Sequence, residues 1–162
     1  MTTNNINLAG EFYAMHTLFR HGYVPTLTLG NTKGVDILVY NPTNQRQFTV
    51  EVKTSSVTKN EQHFGGENIG WRMGKKHEEI ISDNLIYCFV FISANLTEKP
   101  RVFFVPSVEV AKYVFWEHDH WLHNVPHKKD VKDTDMRSFR ILTTDFHQWE
   151  DNYELFDQFL VL

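Results

Sequence analysis

Two short stretches of alternating polar and apolar residues, 35–41 and 47–54, flank the link Asn41-Pro-Thr-Asn-Gln-Arg46. Period-2 alternation marks strands with one buried face, and a polar link rich in turn residues between them marks a hairpin. This pairing constrains the chain more than any other feature, because it fixes which side chains share a face. Phe48, Val50 and Val52 fall on one side of the second strand, and Thr49, Glu51 and Lys53 on the other. Asp36 opens the first strand in Gly34-Val-Asp36-Ile-Leu-Val-Tyr40, and the short link brings it beside Glu51, fifteen residues later. Two adjacent carboxylates repel, so the arrangement is costly unless a divalent cation lies between them.

The surrounding pattern places this hairpin in an α/β domain. Residues 7–21 read as a helix with a stripe of Leu8, Phe12, Met15 and Phe19 and a stop at Gly22. Glu11 shares its largely apolar face, an odd place for a carboxylate, and either sits at an exposed end or points into a site. Residues 23–29 read as a further strand. The polar, glycine-containing segment 55–70 reads as a mobile loop, and 71–82 as a helix. Two strands follow, the strongly apolar 85–93 and 102–105. A helix then begins at Pro106-Ser107, with Ser107 as its N-cap, and runs to about Trp116. Residues 117–140, rich in His, Asp and Lys, resist assignment, and 144–162 read as a C-terminal helix packed on the body. The expected order is αβββαββα. With 162 residues and 41% hydrophobic content, the chain suits one domain with an ordinary core.

Mg²⁺, or Mn²⁺, fits the paired carboxylates, because it prefers oxygen ligands and needs only one or two carboxylates plus substrate phosphate. Such an ion polarises a scissile phosphate and acidifies water, and the Lys53 ammonium beside it can stabilise developing charge or orient the water. Glu11 can complete the metal shell or hold one of its waters. The stretch GVDILVYNPTNQRQFTVEVKTS resembles the signature of the PD-(D/E)xK nuclease superfamily, with Val35-Asp36 in place of Pro-Asp. The resemblance covers about residues 7–107. It implies the restriction-endonuclease-like fold, a three-layer core with a mixed central sheet flanked by helices. It also implies a metal-dependent nuclease acting on nucleic acid, with DNA expected, in which Asp36 and Glu51 hold the metal and Lys53 assists. The later segments VFFVPSVEVAKYV and HDHWLHNVPHKKD…DMRSFRI…FHQWEDNYELF are similar to an uncharacterised bacterial group of that superfamily, and residues 117–162 would be a family-specific C-terminal extension. Because the superfamily also contains members that do not cut, the alternative is a non-catalytic module binding nucleic acid or protein on the same fold. Many relatives work as dimers, so a homodimer is the expected assembly.

Charge bears on how a polyanion would be held. The net charge is −4, yet five acids, Asp145, Glu150, Asp151, Glu154 and Asp157, fall in the last twenty residues with no Lys or Arg among them, so the remainder is slightly positive. The expectation is one basic face around the metal, built from Lys53, Lys75, Lys76 and the segment 128–140, including Lys128 and Lys129, with the acidic segment turned away. Lys75 and Lys76, at the start of the expected helix, read as phosphate contacts or as solvated helix charges. Trp116 and Trp121 read as core or lid residues more readily than as base-stacking platforms. His118-Asp-His120-Trp-Leu-His123 reads as a polar loop, since no cysteine or HExxH accompanies it. There is no GxSxG, Walker loop or GxGxxG. The single cysteine, Cys88, reads as a buried hydrophobe. No apolar run reaches the ~18 residues that span a bilayer. The N-terminus has neither the basic start nor the apolar stretch of a signal peptide, so the reading is a soluble, cytoplasmic protein with no membrane partner.

Overall fold

The computed structural model describes residues 3–28, 34–144 and 148–158. A mixed five-stranded sheet runs in the order β1 (Val24–Leu27), β2 (Ile37–Asn41), β3 (Arg46–Ser55), β6 (Leu85–Phe91), β7 (Arg101–Pro106). The β3–β6 pair is parallel and the other three are antiparallel. A second, antiparallel sheet joins β4 (Thr58–Glu61), β5 (Gly66–Gly74) and β8 (Met136–Leu142). Two long helices, α1 (Thr3–Arg20) and α2 (Ser107–Asn124), complete the described part. No helix among the described residues is long and apolar enough to cross a membrane.

The large sheet has a core on each face. Its alternate residues Ile37, Val39, Phe48, Val50, Cys88, Val90 and Phe104 pack against Ala14 and Leu18 of α1 and Phe156 of the C-terminal segment. The opposite face is covered only over β6 and β7. There Tyr87, Phe89, Phe103 and Val105 meet Val110 and Val114 of α2 and Ile69, Trp71, Met73, Phe139 and Ile141 of the small sheet. Over β1 and β2 this second face is bare, and Val24, Leu38 and Tyr40 are exposed. The boundary between its covered and bare halves is where Asp36, Glu51 and Lys53 stand.

The hairpin forms as its alternation dictates, with Ile37 paired to Val50 and Asn41 to Arg46. Several other expectations give way. The helix expected over 71–82 is absent: Ile69, Trp71 and Met73 alternate inward against Gly70 and Arg72, and this period-2 pattern makes β5, followed by a short 3-10 helix, Lys75–Glu78. The expected loop 55–70 carries β4 and the start of β5. The 117–140 segment splits into the end of α2 and the start of β8. Among the described residues of 144–162 the expected C-terminal helix is replaced by a 3-10 turn, Tyr153–Phe156, whose aromatics drop into the first core, while 145–147 and 159–162 lie outside the described residues. Within α1 three residues of the expected stripe, Leu8, Phe12 and Phe19, are exposed, and only Met15 of that stripe is half-buried against the core. The buried side is Gly10, Ala14, Thr17 and Leu18, because the helix lies so close to β3 that a methyl on Gly10 would stand 2.0 Å from Thr54 Oγ1. Ser107 does not cap α2; its hydroxyl is tied to the backbone of Ser82 on both donor and acceptor sides.

Candidate active site

Asp36 lies just before β2, where the Val52 N–H donates to its Oδ2 at 2.7 Å. That bond draws the Asp36 side chain onto β3. Burial raises the Asp36 carboxyl above its ordinary range and the Glu51 charge adds to this, while the Val52 hydrogen bond and Lys53 oppose them. Glu51, only 4% exposed, takes the opposite course. Burial works against its charge, but His77 and Lys53 overcome it and hold the carboxyl down at about 2. Lys53 Nζ is 2.6 Å and His77 Nε2 3.5 Å from the same oxygen, Oε1. Glu11, on α1, is pushed up first by burial and then by the Asp36 charge, so its carboxylate feels the site from the helix side. These three acids and Lys53 line one cleft of about 1300 Å³. Asp36, Glu51, Lys53 and Glu11 are therefore brought together in one place. Among the described residues no group of three or more His, Cys, Asp or Glu is arranged to hold a metal. The oxygen donors facing each other across the hairpin are the Asp36 and Glu51 pair.

The far wall of the cleft is the small sheet. Lys59, Arg72 and Arg140 line it, with Lys76 and Arg137 beside them. Arg140 is not free: its Nε donates to Glu117 at 2.7 Å, it also binds Glu61, and its guanidinium lies 4.5 Å over the Phe64 ring. Arg137, 3% exposed, is tied to Glu78 and to Asp133. Lys59, Arg72 and Lys76 have no ion pair among the described residues. The phosphate-contact candidates divide accordingly. Lys76 lines the cleft; Lys75 faces Asp133 at 3.9 Å; Lys128 and Lys129 line a separate shallow hollow with Asp130 and Asp133. Of the acidic C-terminal residues, Glu150 is bound to Arg101 and Asp151 to Lys99, away from the cleft, and Asp145 lies outside the described residues.

The histidine-rich stretch forms no metal cluster. His118 pairs with Asp133 at 2.8 Å, His123 with Asp119 at 3.1 Å, and His120 stacks on exposed Trp116. Trp121 stacks on His118 at the cleft wall. His77 lies inside the stretch expected to be a helix and Tyr87 inside a plain apolar strand, yet both stand beside Glu51. Tyr87 faces Glu51 across the parallel β3–β6 pair, and burial together with the Glu51 charge raises its phenol pKa well above the ordinary value. A register between strands that far apart in the chain leaves no local signal.

Compared with known proteins, the sequence matches no family model and no curated protein. Among solved structures the chain shares its fold with a nuclease. That structure is a bacterial homing endonuclease, I-Ssp6803I, matched at a TM-score of 0.56 and 11% identity over 96% of this chain and 93% of that one. At this identity the likeness concerns the fold, a mixed α/β nuclease-like architecture.

Proposed function

We propose that the protein is a Mg²⁺- or Mn²⁺-dependent nuclease of the PD-(D/E)xK type, with the restriction-endonuclease-like core, acting on DNA. The observation that carries this reading is the Asp36–Glu51 pair with Lys53, set at the base of a cleft whose opposite wall carries Lys59, Arg72 and Lys76. The donor set fits a hard divalent cation. Two carboxylate oxygen groups face one another, and Asp36 is held above its ordinary pKa in part by the Glu51 charge, a repulsion that a cation would relieve. Asp36 and Glu51 would hold the ion. When bound, it would supply positive charge to the scissile phosphate and acidify water. Glu11 would accept a hydrogen bond from that water, and Lys53 would meet charge developing on the phosphate. The cleft cations would fix the backbone of the nucleic acid.

The test is cleavage of labelled single-stranded, duplex and branched DNA with Mg²⁺ or Mn²⁺ present and absent. Asp36→Ala and Lys53→Ala should each lower the rate by about a hundredfold or more while the protein stays folded. Full activity in either variant overturns the mechanism. One observation favours a second reading, a non-cutting nucleic-acid-binding module: Arg137 and Arg140 are already neutralised by acids. Calorimetry with Mn²⁺ separates the two. Absence of cation binding together with absence of cleavage supports the module.

A further inference from the structure

Glu51 keeps its charge in a nearly closed pocket, and its two oxygens are treated differently. Lys53 and His77 both approach Oε1. Oε2 faces Gly34, where an added methyl would stand 3.5 Å away, and no ion pair among the described residues reaches it. The imidazole that approaches Oε1 is held in place. His77 is 3% exposed, and its Nδ1 lies 2.9 Å from both the nitrogen and the carbonyl oxygen of Gly74, so that end of the ring suits either tautomer. At the other end the Glu51 carboxylate can only accept, so Nε2, the atom turned to it at 3.5 Å, is the one that carries a proton. Tyr87 packs edge-on against the ring at 5.9 Å.

Three buried side-chain polar atoms among the described residues make no close hydrogen bond: Tyr87 Oη, Thr54 Oγ1 and His77 Nε2, which stands off at 3.5 Å from Glu51 Oε1 while Lys53 occupies that oxygen and can close on it once Lys53 leaves. The first and last flank Glu51, and Thr54 follows Lys53. An unpaired buried donor costs about 1–3 kcal/mol, so two of them around one carboxylate indicate a purpose beyond packing. Lys53 supplies that purpose. It is bound to Oε1 at 2.6 Å, and must leave that oxygen to reach a phosphate or a water.

We propose that His77 is a positioning residue: its Nε2–H anchors Oε1 of Glu51, leaving Oε2 as the oxygen for a divalent cation and freeing Lys53 for the substrate. The proposal rests on the nuclease reading of Asp36, Glu51 and Lys53. Partners that orient a metal-ligating carboxylate are worth about 10–100-fold in metal affinity.

Two measurements decide it. Long-range proton–nitrogen spectra of the metal-free protein with labelled histidines read the His77 ring directly, assigned by its disappearance in His77→Gln. A proton on Nε2 is expected; a neutral ring protonated on Nδ1 overturns the proposal. Calorimetric titration with Mn²⁺ then compares the wild type with His77→Leu and His77→Gln. The leucine variant should bind at least about tenfold more weakly, and the glutamine variant, which keeps an N–H donor, should recover most of the loss. Wild-type affinity in a folded His77→Leu variant sinks the role of His77 alone. A wild type that takes up no Mn²⁺ sinks the metal centre itself, and the role of His77 with it.

Discussion

The acids of the cleft pull stability in opposite directions as pH changes. Glu51 has a folded pKa of about 2, below its ordinary 4.5. Its ionised form therefore favours folding, with a contribution that is complete above about 4.5 and disappears as pH falls towards 2. Asp36 and Glu11 are raised, so their ionisation opposes folding and stability is lost as pH climbs from their ordinary range through the raised values. Near neutral pH, Asp36→Asn, which keeps an acceptor for the Val52 N–H, and Glu11→Gln should each raise the thermal midpoint while weakening metal binding. Glu51→Gln should lower the midpoint, because Lys53 and His77 lose the charge they surround. Denaturation at pH 7 and pH 4 checks both signs. Greater stability of Glu51→Gln at pH 7 would contradict the assigned directions. Residues that carry chemistry at the cost of stability are a recurrent feature of active sites.

At the scale of elements, local periodicity was readable and long-range choices were not. The alternation of β3 put Glu51 and Lys53 on one face, because neighbours in a strand decide that by themselves. The face of α1 was misread because burial follows closeness of approach to β3: Gly10 permits it, and the larger Leu8, Phe12 and Phe19 are left outside. Gly10→Ala tests this. Alanine normally favours a helix over glycine by about 1 kcal/mol. Here its methyl would meet Thr54 at 2.0 Å, and overpacking of about 1–3 kcal/mol should dominate. The expected outcome of a urea titration is a lower midpoint, partly restored by adding Thr54→Ala. β5 was misread as a helix for a different reason. Over residues 70–74 it pairs with β8 alone, Met73 facing Arg137 and Trp71 facing Phe139, and a pairing across so long a stretch of chain cannot be seen in either segment alone. His77 reaches Glu51 only because β5 is a strand that ends in a tight turn. The assignment error therefore hid the residue as well.

Across the whole molecule, cations of the cleft fall into two groups. Arg140 bridges Glu61 on β4 to Glu117, 4% exposed, on α2. Arg140→Ala would strand a buried carboxylate, and a loss of about 3 kcal/mol in chemical denaturation is expected. Arg72 is exposed on the open side of β5 and has no ion pair among the described residues. Arg72→Ala should leave folding within about 0.5 kcal/mol of wild type. In DNA binding it should flatten the slope of log affinity against log salt by about 0.9, the counterion release of one phosphate contact. An unchanged slope would remove Arg72 from the nucleic-acid interface.

The edges of the large sheet carry a consequence for the life of the protein in a crowded solution. At one end β1 is four residues long and has Pro25 opposite Val39, so it lacks a backbone donor midway along its length. At the other end the backbone of Trp149 and Asp151 is bonded to Phe104 and Val102 of β7. Open edges are templates for fibril growth, and short strands, proline and a covering segment are ways of closing them. Two copies meeting through this sheet would thus do so more readily face to face, over Val24, Leu38 and Tyr40, than by lengthening the sheet.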